Sequence, residues 1–146
     1  MMTSPQNTDA TKKSKKRIGR EQALAIAFEK TFNDASTEEV IEAAQLSRDF
    51  EVTPYALELL DGMEKNIDKI DSLIDANTKK WTRNRMSRIS ISLLRLAIYE
   101  ILSEGGVPIG VSINEAVELA KEYASQEDAA FINGVLGAIA RTLENN

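Results

Sequence analysis

Two kinds of residue in this chain are spaced so that they could do chemistry. Lys12, Lys13, Lys15, Lys16, Arg17 and Arg20 crowd the first twenty positions. A block of like positive charge at one end suits a polyanion such as nucleic acid or an anionic membrane surface. Its bland counterpart is a solubilising tail, since no aromatic is interleaved with these cations to stack on bases. Neighbouring carboxylates, Glu38 with Glu39 and Asp68 with Asp71, look like acid/base couples. Both pairs fall on expected solvent faces beside lysines and read as solvated surface.

Missing residue types narrow the chemistry further. With no histidine and no cysteine in 146 residues, the chain can form no disulfide, Cys/His zinc site, imidazole general base, or Cys or Ser-His nucleophile. A glycine-rich phosphate loop, an HExxH pair and an EF-hand loop are also lacking. The sequence therefore calls for no catalytic residue, no metal ligand and no cofactor. No apolar run approaches the roughly 18 to 20 residues that span a bilayer, and the first twenty residues lack the apolar stretch of a signal peptide. The expected location is the cytoplasm, with no membrane contact.

Charge is distributed unevenly. Six of the 18 basic residues but only two of the 23 acidic ones, Asp9 and Glu21, fall in residues 1–21, so this stretch carries +4 and the remainder −9. A basic arm thus adjoins an acidic body. Within that body, Ala76 to Tyr99 holds Lys79, Lys80, Arg83, Arg85, Arg88 and Arg95 and no carboxylate, a second positive island.

The elements that position these charges read as helices throughout. Residues 1–16 show no apolar periodicity and form an arm expected to be disordered when free; residues 17–146 form one helical domain. Leu24, Ala27, Phe28 and Phe32 place a helix over Arg20 to about Phe32. Extended back by a turn or two, it would carry Lys13, Arg17 and Arg20 on one face. Ser36 with Glu39 has capping-box spacing and opens a helix to Arg48. Thr53-Pro54 starts another, whose stripe of Leu60, Met63, Ile67, Ile70 and Ile74 predicts one long helix to about Ala76. Ser90 to Leu102 is apolar around most of its circumference and is expected at the centre. Ser112 with Glu115, and Ser125 with Asp128, predict two further capped starts. Glu115 is expected to pair with Arg95, which interrupts the apolar central helix, so Glu115→Ala should destabilise the fold. The fold class is all-α, a bundle of six or seven helices.

Three stretches, Leu94 to Glu100 (LRLAIYE), Val111 to Lys121 (VSINEAVELAK) and Phe131 to Leu136 (FINGVL), occur in an order and at a spacing that resemble the NusB family of transcription antitermination factors. The resemblance runs from about Arg17 to Arg141 and includes the helix start at Arg20-Glu21-Gln22-Ala23 and the Trp81, Arg85 and Met86 positions. It implies two three-helix sub-bundles and no catalysis. It further implies binding of single-stranded boxA-type RNA in nascent ribosomal transcripts together with NusE, a small-subunit ribosomal protein, within an antitermination complex on RNA polymerase. Relatives occur as monomers and as dimers, so a homodimer is among the states implied.

Carried over by position, the RNA-binding residues are Lys12, Lys13, Lys15, Lys16, Arg17 and Arg20 in the arm, with Asp128 and Phe131. Lysine largely replaces arginine in this arm; it neutralises phosphate but lacks the planar fork. Phe131 reads equally as core, in register with Val135 and Leu136, and Asp128 as a helix cap. Phe28, Asn84 and Ser90 match the side facing NusE, but Asn84 and Ser90 stand where relatives carry acids, which removes two carboxylates from any charge pairing. Two other readings stand beside this one. One is a helical adaptor that recognises protein alone. The other is the NusB-like domain fused to RNA methyltransferases, disfavoured because no cofactor-binding segment or catalytic cysteine follows Arg141. Removing residues 1–17 separates the first from an RNA-binding factor.

Overall fold

The computed structural model describes residues 14–48, 51–78 and 83–145. Seven α-helices occur among them: α1 Lys15–Lys30, α2 Thr37–Arg48, α3 Pro54–Lys65, α4 Ile67–Ala76, α5 Arg88–Leu102, α6 Ile109–Tyr123 and α7 Gln126–Glu144. A single 3-10 turn, Arg83–Arg85, leads into α5. The first three helices form one group, with α1 lying along α3 and against α2. A second group comprises α5, α6 and α7, and α4 packs on α5 between the two. The all-α architecture of two three-helix groups is thus as the resemblance implies.

Side-chain spacing explains this arrangement. On α1, Gly19, Ala23, Ile26 and Ala27 are buried on one face. Gly19 lets α1 close on α3, since a Cβ at that position would sit 2.9 Å from the Cβ of Tyr55. Gly62 on α3 faces α5 in the same way, and any Cβ there would overlap the Tyr99 ring. Ten of the fifteen residues of α5 are buried, Ile91, Leu94 and Ile98 among them, so this helix touches α1, α3, α4, α6 and α7. Burying a Leu or Ile side chain contributes roughly 1.5–3 kcal/mol. The buried row on α5 and the facing Ile132, Leu136 and Ile139 of α7 therefore supply much of the core.

Several starts and stops are those the spacing predicts. Ser36 and Glu39 form the reciprocal capping box, with the Glu39 amide donating to Ser36 Oγ at 3.1 Å and the Ser36 amide to Glu39 Oε1 at 3.0 Å. Thr53 caps α3 with Pro54 in the first turn, and Ser125 caps α7. Three boundaries differ. Helix α1 begins at Lys15, capped by Ser14, so Lys15 and Lys16 belong to the helix and not to the arm. The long helix expected from Pro54 to Ala76 is two helices broken at Asn66. There the side-chain amide donates to the Gly62 carbonyl at 2.8 Å, an oxygen that the Asn66 backbone amide also reaches at 3.1 Å. Ser112 does not open α6. The Pro108 carbonyl accepts from the Val111 and Ser112 amides, so the helix starts at Ile109 and Ser112 is buried within it. Among the described residues, no helix is long and apolar enough to cross a membrane.

Candidate nucleic-acid interface

The first turn of α1 brings Lys15, Lys16 and Arg17 to one end of the molecule and contains no acidic residue. Lys15 and Lys16 are exposed, and Lys16 Nζ lies 5.3 Å from the centre of the Tyr55 ring. Lys12 and Lys13 lie outside the described residues. Arg17 and Arg20 turn inward. Arg17 grips Glu115 with two parallel bonds, Nε to Oε1 at 2.9 Å and Nη2 to Oε2 at 2.5 Å. Arg20 holds both oxygens of Glu100 through Nε, at 3.1 and 3.0 Å, and reaches Glu115 Oε1 through Nη1 at 3.2 Å. The Tyr55 hydroxyl donates to Glu100 Oε2. One cluster therefore ties α1 to α3, α5 and α6.

Electrostatics follow this geometry. The bonds from Arg17, and then its charge and that of Arg20, outweigh desolvation and hold the Glu115 carboxyl below the usual carboxylate range; the same bonds raise Arg17. Burial, reinforced by Glu100, pushes the Tyr55 hydroxyl up, so it stays protonated and donates. Charge-assisted forks of this kind are stronger than neutral hydrogen bonds. Glu100, with its side chain 3% exposed, has its charge compensated by Arg20 and Tyr55.

Two expected placements are corrected here. Glu115 does not pair with Arg95; it faces α1. Arg95 pairs with Asp71 of α4, Nε to Oδ1 at 2.9 Å and Nη2 to Oδ2 at 3.0 Å. Positions 95 and 100 are five residues apart on α5, about 140° around the helix, so the arginine faces α4 while Glu100 faces α1. Nor is Asp71 solvated surface, for its side chain is 14% exposed and also takes Arg83 Nη1 at 2.7 Å. Arg83 further bonds Asp75, which it holds below the usual carboxylate range. Two arginines of the second positive island, Arg83 and Arg95, are thereby paired with acids lying before it in sequence. Glu100 and Tyr55 were not singled out from sequence, although a carboxylate followed by Ile101 in an apolar helix signals a buried partner.

Of the remaining candidates, Asp128 accepts from Ser125 Oγ at 3.0 Å while its amide donates back at 2.9 Å, a helix cap. Phe131 is half-buried and packed against the core. On the opposite end of α1, Phe28 meets Phe32 edge to face, ring centres 5.0 Å apart. Phe32 is 60% exposed, and Arg88 sits 4.4 Å over its ring while donating to the Thr31 carbonyl. Ser90 is 1% exposed, so it is an inward residue of α5 and not a surface position for a partner. Asn84 lies in the 3-10 turn, and its side chain falls outside the described residues. No group of three or more acidic residues among those described is placed to hold a metal ion.

An all-helical bundle with a cationic helix end and an exposed aromatic–arginine patch defines a binding module. The chain belongs to the NusB family, whose model matches residues 17–141. It is 39% identical over 134 residues to the transcription antitermination protein NusB of Myxococcus xanthus, an alignment covering 88% of this chain and 96% of that one. The solved structure of T. maritima NusB superposes with a TM-score of 0.78 at 34% identity, covering 89% and 93% of the two chains. A crystal structure of NusB and NusE in complex with double-stranded RNA has the same fold, with a TM-score of 0.74 at 23% identity, over 86% of this chain and 96% of that one.

Proposed function

We propose that this chain is a non-catalytic transcription antitermination factor that binds single-stranded, boxA-type RNA together with NusE and joins the antitermination complex on RNA polymerase. Acting on a nascent transcript places it in the cytoplasm. The carrying observation is the first turn of α1: three cations, two of them exposed, at a helix end that itself bears partial positive charge. Cations there oppose the helix dipole, at roughly 0.3–1 kcal/mol each. An arriving phosphate reverses the sign of that term. Lys12 and Lys13 continue the charge along the chain.

The partner-facing surface is assigned to Phe28 and Phe32 with Arg88. A stacked arginine and an exposed aromatic are residue types enriched at protein interfaces, and this patch lies at the far end of α1 from the cations. Phe131 remains a candidate for base stacking through its exposed part. Asp128 supports it by fixing the start of α7.

Binding of a boxA-like oligomer with and without NusE tests the reading, and tighter binding in the presence of NusE is the expected outcome. With about four phosphates neutralised, log affinity should fall with log salt at a slope of about −3, from roughly 0.7 per contact on a single strand. Deletion of residues 1–13 should weaken binding while α1 stays seated. That cut is cleaner than one through residue 17, because Arg17 is bonded to Glu115. A flat salt response, or no response to NusE, would sink it.

A further inference from the structure

Arg17 and Arg20 stand three residues apart on one face of α1 and share a carboxylate, yet their situations differ. Arg20 is held in the interior, its side chain 11% exposed, with its Nε on the buried Glu100. Its departure would leave Glu100 a buried charge facing only the Tyr55 hydroxyl, and an uncompensated buried charge is strongly destabilising. Arg17 is 42% exposed, and Glu115 is held a second time by Arg20 Nη1. When Arg17 lets go, Glu115 is still paired. The network therefore sorts two neighbouring arginines into one that is fixed and one that can leave at little cost, since partly exposed ion pairs stabilise weakly.

We propose that Arg17 is an exchangeable contact: Glu115 occupies its guanidinium fork in the free chain, and a transcript phosphate takes the fork over. This deepens the RNA-binding reading and rests on it. Carboxylate and phosphate present the same pair of oxygens to a guanidinium, so the swap keeps both parallel bonds. Glu21, Glu118 and Glu122 line the hollow of about 270 Å³ beside Arg17 and make it unfavourable for an anion. The exchange thus takes place with Arg17 swung toward Lys15 and Lys16. Glu115 sets RNA affinity without touching RNA; it is a positioning residue.

The test is a double-mutant cycle on single-stranded boxA-like RNA. Glu115→Gln keeps an amide oxygen for Arg20 but gives up the charge that competes for Arg17. An ion pair as exposed as this one is equivalent to a factor of about two to five, so E115Q should tighten RNA binding by that factor. R17Q should weaken it and lower the salt slope by about 0.7. In the R17Q background the gain from E115Q should vanish, an outcome that a purely structural role for Glu115 would not produce. Unchanged or weaker affinity of E115Q, or a gain that survives without Arg17, overturns the exchange while leaving RNA binding intact. Failure of the unchanged chain to bind RNA, with or without NusE, instead removes the underlying reading and the exchange with it. If E115Q does not fold, the unchanged chain supplies the answer by NMR. The Arg17 Nε–Hε resonance should move on adding RNA while that of Arg20 stays, and a stationary Arg17 signal in the bound state overturns the proposal.

Discussion

Two clusters of arginine, one at the start of α1 and one around the start of α5, carry similar charge in sequence and opposite meaning in the fold. Around α5, Asp71 and Asp75 reach across from α4 and take Arg83 and Arg95, and Arg88 lies on Phe32. Arg83 and Arg95 are thereby committed to acids, while Arg85 stays exposed. At α1 the two paired acids lie inside: Glu100 and Glu115 hold Arg20 and Arg17, and Lys15 and Lys16 remain on the outside. Charge counted along a chain is therefore no guide to surface potential until the partners of each cation are known. One cluster is organised around a helix start, the other around the acids of α4 and an exposed aromatic ring.

The largest effect expected from breaking this contrast is on stability. Glu100→Ala leaves Arg20 with Glu115 alone and the Tyr55 hydroxyl without its acceptor, and should cost about 1.5–3 kcal/mol, read as a lowered midpoint in denaturant. Asp71→Asn at the other cluster acts on arginines that reach solvent, and should cost about 1 kcal/mol or less. Equal losses at the two sites would dissolve the distinction.

Charge removal sharpens it next. Lys15→Ala with Lys16→Ala should lower the salt slope of RNA binding by about 1.4, at roughly 0.7 per phosphate contact, with little change in thermal midpoint. Arg85→Ala, in the second cluster, should leave the slope where it was. Acid titration gives the smallest effect. Because Arg17 holds the Glu115 carboxyl below its ordinary value, the contribution of this group is complete above the unfolded value of about 4.3. It is lost as pH falls through the depressed one. Unfolding followed by circular dichroism from neutral pH to pH about 2 should show a shallower acid limb in E115Q than in the unchanged chain.

Much of the fold was legible because apolar spacing and capping residues act locally. Ser36–Glu39, Thr53-Pro54 and Ser125–Asp128 each close hydrogen bonds within one turn, so their sequence signatures sufficed. What failed depended on a side-chain bond or on direction. The helix breaks at Asn66, whose side-chain amide shares the Gly62 carbonyl with its own backbone amide, and nothing in the apolar stripe registers that local bond. Ser112 and Glu115 have capping-box spacing but sit inside α6, where the same spacing simply puts two residues on one face. The partner of Glu115 was misread because a buried acid announces its need for a cation, not which of several arginines faces it. At the site, the cationic helix end was visible in composition, whereas the inward turn of Arg17 and Arg20 emerged only with the packing of α1 on its neighbours.

Arg20 has a consequence that reaches past its own contacts. Its side chain spans α5 and α6 while its backbone belongs to a helix seated on α2 and α3, so it acts as a rivet through both halves of the molecule. Neither half can melt without pulling that rivet, and the chain should therefore lose its helices in one step, with an RNA bound near the N-terminus protecting amides as distant as those of α7 from exchange.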